Sequence, residues 1–308
     1  MTRSLVIGSR GSKLALWQAE HVQAQLQATD ADLTVRIEVI KTTGDVKADP
    51  LTVIGGKGVF TKELEDALLD GRIHLAVHSL KDLPTHLPDH LTIAAICQRE
   101  DPRDALILRE SRAIWSLRDL PDGAIIGTSS QRRVAQVRAI CRRIVVKDLR
   151  GNVDTRLRKL DEGRYDALIL ASAGLRRLGL SERINFAIPT AEMLPAVGQG
   201  AIAIETRVEN SEALAASSKL QHDETRFACL AERAVLRSLG GGCQLPIAAH
   251  ALVQEKTLRL EALVASTDGA RIVRGAISGF AENADQLGAR LADNLRADGA
   301  DAILQESL

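Results

Sequence analysis

Few residues in this chain have both the type and the setting to do chemistry. Cys243 follows three glycines, Gly240 to Gly242, at the end of a helical pattern. An open backbone leaves such a thiol reachable, and a reachable thiolate is a nucleophile. A cysteine is equally a small core side chain. Cys97, Cys141 and Cys229 sit in apolar patterns and read as core. No pair among the four has metal-ligand or CxxC spacing, so no metal site is expected and a reducing compartment fits. Asp82 stands beside Lys81 in HSLKDLP, where a strand pattern ends. Ligands of α/β sheets bind at strand ends, and a carboxyl there can move protons or stabilise a cation. A surface Lys–Asp pair in a turn would look the same.

The arginines form a third group. Of 40 basic residues 30 are Arg, and Gly127 to Arg177 holds eleven Arg and two Lys against five acids. Arg is the better bidentate partner for carboxylates and phosphates. Ser129, Ser130, Arg132 and Arg133 lie between a strand and a helix in GTSSQRR, Arg150 and Arg156 at the next such junction in LRGNVDTR, and Arg176 and Arg177 after a third strand. Successive strand-to-helix junctions suit an anion site, helped by helix N-termini. Arg138, Arg142, Arg143 and Arg158 read as solvated. The GGKG loop at 55–58 could cradle a phosphate on backbone N–H groups or be a plain flexible loop, and it is not a Walker A motif.

The elements that must position these residues alternate. Strand patterns at 4–9, 35–40, 74–80 and 91–98 alternate with helical patterns at about 12–28, capped by Ser12, and in TKELEDALLDG, capped by Thr61 and ended by Gly71. After a charged crossing, EDPRDA, strands at 105–108, 124–129, RIVVKDL and 167–172 alternate with helices at 131–141 and 153–162. Such alternation predicts a mostly parallel sheet in each block. A strand at 201–206 and a helix at 223–239 follow. AAHALVQ, LRLEALVAS and RIVRGAIS then read as an antiparallel sheet closed by a helix at about 281–298.

With 308 residues the chain can bury several cores, and its 45% hydrophobic and 26% charged composition is that of a globular protein. The formal net charge is zero. Neither a signal peptide nor a membrane span is evident, so the cytoplasm is the expected location. A nucleic-acid binder could use the basic middle, but aromatics for stacking are nearly absent there. A two-lobed solute-binding module would also use arginines, without needing a cysteine loop or a third domain.

The ordered series RGSKLALWQA, GGKGVFTKELE, AVHSLKDLP, EDPRDA, GTSSQRR, LRGNVDTRL, AGLRRLG, LPAVGQGA and GGCQLPI covers nearly the whole chain and strongly resembles the porphobilinogen deaminase family. The resemblance implies two periplasmic-binding-protein-like (type II) α/β domains plus a C-terminal α+β domain. Their expected bounds are 1–99 with 200–217, 104–194, and 222–308. It implies a transferase that joins four porphobilinogen units into hydroxymethylbilane, with loss of ammonia, on a dipyrromethane cofactor attached to Cys243. Asp82 matches the catalytic residue. Lys81, Ser129, Arg132, Arg133 and Arg150 match cofactor-binding residues, and Arg10, Ser12, Arg156 and Arg177 match substrate-binding ones. Lys57 and Phe60 fall on the expected covering loop. The resemblance also implies a monomer that passes its product to uroporphyrinogen III synthase and takes neither nucleic acid nor membrane as partner. Many relatives have Pro at Lys13, and some have Lys at Val53, which bears only on the cleft entrance.

Overall fold

The computed structural model describes residues 3–42, 61–110, 113–242 and 245–306. The chain divides into two units, Met1–Arg99 with Ala201–Arg226, and Glu100–Gly200 with Phe227–Leu308.

In the first unit β1 (Arg3–Ser9), β2 (Leu33–Val39), β3 (Leu75–Ser79), β4 (Leu91–Ile96) and β10 (Ile202–Arg207) form one sheet, in the order β2-β1-β3-β10-β4. Strand residues alternate between its faces. Leu5 and Ile7 pack with Val22 and Leu26 of helix α1 (Lys13–Thr29), while Val6 meets Leu64 and Leu68 of α2 (Lys62–Leu69) on the other side. Each such side chain, fully buried, contributes about 1.5–3 kcal/mol. With both faces covered, the central strands β1 and β3 are buried over most of their length, while the edge strand β2 alternates, with Thr34 and Arg36 exposed. Ser12 caps α1 as expected, its Oγ accepting from the Ala15 N–H at 3.3 Å. Thr61 makes no side-chain cap bond to α2, contrary to expectation; its φ and ψ are already helical, which turns the hydroxyl away from the first amides. Gly71 follows α2 with φ +80°, the left-handed conformation that glycine adopts without strain.

The first segment of the second unit repeats this plan. β5 (Asp104–Leu108), β6 (Ile125–Gly127), β7 (Val145–Lys147), β8 (Ala167–Ala171) and β9 (Phe186–Ile188) are ordered β7-β6-β8-β5-β9. Helix α3 (Gln131–Ile140) covers one face, through Val137 against Ile126 and Ile169. Helices α4 (Val153–Asp161) and α5 (Ser172–Arg177) cover the other, through Leu157, Leu160 and Leu175 against Ile107 and Leu168.

The expected α/β class holds, with a refinement of strand direction. β10 is antiparallel to both β3 and β4, and β5 is antiparallel to both β8 and β9. Each sheet is thus parallel except for one interior strand. A short apolar run gives no direction, so the alternation of elements could not reveal it.

In the C-terminal segment β11 (Ile247–Gln254), β12 (Thr257–Ala265) and β13 (Ile272–Phe280) are antiparallel throughout. Their inner face packs on α7 (Asp223–Ser238), α8 (Ala284–Ala297) and α9 (Ala300–Gln305). Gly288 of α8 lies so close to α7 that a Cβ there would stand 2.3 Å from the Ala231 carbonyl oxygen. On the other face Ala248, Leu263 and Ala265 meet Ala135 and Leu194. The sequence pattern missed α5, β9, α9 and helix α6 (Ser211–Ser218), all short.

Candidate active site

In the first unit a pocket opens where β1 and β3 end. Arg10 and Ser12 line it from the turn into α1, Thr61 from the start of α2, and His78, Ser79 and Asp82 from β3 and the 3-10 turn Leu80–Asp82 that follows. Both strands present their carboxyl ends there, the usual place for a ligand in an α/β sheet. Gln18 of α1 holds the end of β3 through its Nε2, which donates to Ser79 Oγ at 2.8 Å. Leu80 N–H donates to the Ala201 carbonyl at 3.0 Å, fixing the turn that carries Lys81 and Asp82. Asp82 is exposed at the pocket, while Lys81, Arg10 and Ser12 are half-buried. A carboxyl reachable from solvent, with a guanidinium in the same wall, can bind an anionic substrate and exchange protons with it.

The arginine-rich segment divides. Arg132 and Arg133 are buried, 4% and 5% exposed, and both close on one carboxylate, Asp104, at the start of β5. Arg132 Nη1 donates to Asp104 Oδ2 at 2.7 Å and to the Leu194 carbonyl at 2.6 Å. Arg133 Nη2 and Nε reach Asp104 Oδ1 at 2.8 and 3.0 Å, and its Nη1 reaches the Ile169 carbonyl. Gln199 Nε2 adds a bond to Asp104 at 2.9 Å and one to the Pro102 carbonyl. Burial alone would raise the Asp104 carboxyl, but the two guanidinia overcome it and hold the group far below the usual carboxylate range. Two positive groups at the start of α3 have the wrong sign for a helix N-terminus; Asp104 offsets one of them. One buried positive charge is left over.

Ser129, Arg150 and Arg156 lie nearer the surface. Ser129 Oγ donates to the Leu149 carbonyl, Arg150 Nε to Asp148 at 2.9 Å, and Arg156 Nε to the Gly151 carbonyl at 2.7 Å. Arg177 is buried, its Nη2 donating to the Gly200 carbonyl at 2.6 Å. The structure thus joins Arg132 and Arg133 in one network, and ties Ser129, which follows β6, to Leu149, which precedes Arg150 after β7. Arg10, Ser12 and Asp82 come together in the pocket. Cys243, Lys57, Phe60 and Val53 lie outside the described residues. Asp104, Gln199, Glu205 and Glu65 were missed; EDPRDA and LPAVGQGA held a signal for the first two, as motifs without an assigned role.

Residues 5–215 match the family described as "Porphobilinogen deaminase, dipyromethane cofactor binding domain", and residues 226–297 match "Porphobilinogen deaminase, C-terminal domain". The porphobilinogen deaminase of Chromobacterium violaceum is 51% identical over 301 residues, 97% of this chain and 96% of its own length. That of Synechococcus elongatus is 49% identical over 99% of this chain and 95% of its own length. The chain belongs to the porphobilinogen deaminase family. Among solved structures it is similar to a periplasmic solute-binding protein of Desulfovibrio salexigens (TM-score 0.45, 10% identity, 74% of this chain and 75% of that one) and to the methionine-binding protein MetQ (TM-score 0.45, 15% identity, 70% and 89%).

The residues present fit the dipyrromethane cofactor of a porphobilinogen deaminase. That group carries carboxylates, and the Asp104 network has one positive charge in excess. Arg132 Nε is buried and has no hydrogen-bond partner among the described residues, so the network retains a donor that an added carboxylate could satisfy.

Proposed function

We propose that this chain, an enzyme of the porphobilinogen deaminase family, joins four porphobilinogen units head to tail into hydroxymethylbilane, with release of ammonia, on a dipyrromethane cofactor held by Cys243. The observation that carries this reading is the pocket that gathers Arg10, Ser12 and Asp82 at the carboxyl ends of parallel strands.

Asp82 donates a proton to the departing amine, stands as counter-ion to the substrate cation left behind, and accepts the proton lost from the attacked ring carbon. One exposed carboxyl can serve as acid, counter-ion and base at successive moments. Arg10, Ser12, Arg156 and Arg177 take the carboxylates of the substrate. Lys81, Ser129, Arg132, Arg133 and Arg150 hold those of the cofactor, which when bound supplies the pyrrole carbon that begins chain growth. The three separate sheets support a division into three domains, 1–99 with 200–217, 104–194 and 222–308. The same reading makes the protein a cytoplasmic monomer whose product goes to uroporphyrinogen III synthase. No helix among the described residues is long and apolar enough to cross a membrane.

Intact-mass spectrometry tests the attachment. The purified chain should carry the mass excess of one dipyrromethane; Cys243→Ser should lose it and most activity, while Cys97→Ser, Cys141→Ser and Cys229→Ser keep it. An adduct mapped to another cysteine would remove Cys243 from the role. An unmodified chain that binds its ligand tightly would favour a binding module instead.

A further inference from the structure

Gln136 is buried in α3 and has no part in the proposed reaction. It lies one turn after Arg132, so the two side chains share a face of the helix. Both reach Leu194, which is fully buried and belongs to neither helix nor strand. The backbone groups of Leu194 therefore have no ladder to join and need other partners. Gln136 takes the place of a neighbouring strand. Its Oε1 accepts from the Leu194 N–H at 2.8 Å, and its Nε2 donates to the Leu194 carbonyl at 3.0 Å. Only one orientation of the amide satisfies both bonds. Nε2 also reaches the Arg132 carbonyl at 3.3 Å.

The Leu194 carbonyl has a second donor. Arg132 Nη1 reaches it at 2.6 Å and Asp104 Oδ2 at 2.7 Å, while Arg132 Nη2 reaches Asp104 Oδ1 at 3.2 Å. A guanidinium is planar and rigid, so fixing both Nη atoms also fixes Nε. Arg132 Nε is the nitrogen left buried without a partner among the described residues. Packing alone does not settle this geometry. Leu194 meets Ala135, Ala248, Leu263 and Ala265, which hold its side chain in place but do not direct its carbonyl. The direction comes from the Gln136 amide, which grips the residue at both of its backbone groups.

We propose that Gln136 is a positioning residue for Arg132. By holding Leu194 it aims the Leu194 carbonyl at Arg132 Nη1, commits both Nη atoms, and leaves Nε as the donor for a carboxylate of the cofactor. The last part rests on the reading that Arg132 binds the cofactor; the first does not.

The test uses the full-length chain produced without porphobilinogen. Gln136→Met keeps the length of the side chain and removes both bonds to Leu194. NMR of the arginine side-chain N–H groups reads the first part. The Arg132 Nε–H signal, assigned by its absence from Arg132→Lys, should shift in Gln136→Met and exchange faster with solvent. The last part is read on adding porphobilinogen, as the rate at which the chain acquires the dipyrromethane mass. Gln136→Met should lower that rate about threefold or more, the effect of one misplaced hydrogen bond. In the Arg132→Lys background it should lower it no further, whereas a residue that only supports the fold would subtract as much in either background. A folded Gln136→Met whose Arg132 signal superimposes on wild type overturns the proposal, and so does a full additional loss in the Arg132→Lys background. If Gln136→Met does not fold, Gln136→Glu decides by the same readings, since it keeps the shape and the bond from Leu194 N–H but cannot donate to the carbonyl. A shifted signal together with an Arg132→Lys chain that loads at the wild-type rate refutes the cofactor reading of Arg132 and leaves Gln136 as its support.

Discussion

The two five-stranded sheets share a plan and differ in what they bury. In each, one interior strand runs against its neighbours: β10 in the first sheet, β5 in the second. Each of these strands carries a fully buried carboxylate, Glu205 in one and Asp104 in the other. Asp104 is saturated: two guanidinia and an amide converge on it, and the network keeps a net positive charge. Glu205 has one imidazole, an orphaned oxygen and a second carboxyl nearby. The same topological position thus hosts an over-paired acid in one sheet and an under-paired acid in the other. The first suits a site that must receive anions. The second leaves a buried acceptor with a single partner among the described residues, on a residue of the Asp82 pocket. Topology puts a buried charge on the reversed strand of each sheet, at its first residue in β5 and within the strand in β10, and the partners on neighbouring elements decide its use.

The sharpest way to break this comparison is to remove each acid. Asp104→Ala leaves two buried guanidinia without a counter-ion and should cost about 3–5 kcal/mol, the usual result of removing one side of a buried pair. Glu205→Gln removes a poorly satisfied charge and keeps a hydrogen-bonding group, so it should cost no more than about 1–3 kcal/mol. Urea unfolding of both variants measures the difference. Equal losses would mean that the two acids are equivalent and that their partners do not distinguish them.

Asp82 is the next largest effect, and it acts on rate instead of stability. Asp82→Asn keeps the size of the side chain and removes the charge and the transferable proton. The variant should fold normally, with circular dichroism as the check, yet form product at least ~100-fold more slowly. A folded, cofactor-bearing variant at near wild-type rate would move the proton transfer to another group, with His78 the first to examine because it lines the same pocket.

Much of this is legible in local sequence pattern. The strands, the Ser12 cap, the antiparallel C-terminal sheet and the placing of Asp82 at a strand end all follow from local pattern. The interior antiparallel strands did not, because ALIL and AIAIET carry no mark of direction. Nor did the Asp104 network. An acid in EDPRDA reads as part of a charged surface crossing, and only Arg132 and Arg133, 28 and 29 residues away, make its burial possible. The arginines were legible as binders of anions but not as binders of this internal one. Glu205 was hidden in the same way, since its partner His78 lies 127 residues earlier.

A smaller effect separates Asp104 from Glu65 by sign. Asp104 is lowered from 3.8 on folding, so its contribution to stability is complete above that value and is lost as pH falls through the folded value. Glu65 is raised from 4.5, so the folded protein holds its proton more tightly. Its contribution is favourable below 4.5 and is lost as pH rises through the folded value. Glu65→Gln should therefore gain stability relative to wild type at the alkaline end of a pH series of urea unfolding, and Asp104→Asn should show a flatter loss in acid. A Glu65→Gln variant whose difference from wild type is the same at every pH would mean that Glu65 binds its proton no differently in the folded and unfolded states.

The smallest expected effect is the most useful control on the binding assignment. Arg150 and Arg143 are both surface residues paired to an aspartate, at 2.9 Å to Asp148 and 2.6 Å to Asp122, with side chains 40% and 79% exposed. Exposed ion pairs contribute about 0–1 kcal/mol, so Arg150→Leu and Arg143→Leu should be nearly indistinguishable in unfolding. Their activities should part. Arg150 sits at the strand end beside Ser129, where a carboxylate of the cofactor is proposed to bind, and losing one charge-assisted contact should cost about 1.5–3 kcal/mol of binding or transition-state energy. That is roughly a 10- to 150-fold drop in cofactor assembly or chain growth. Arg143→Leu should change neither. Because both substitutions remove one positive charge from the same basic segment, a general loss of electrostatic attraction would slow both alike. Equal slowing would show that the segment works through its overall field and that Arg150 makes no specific contact.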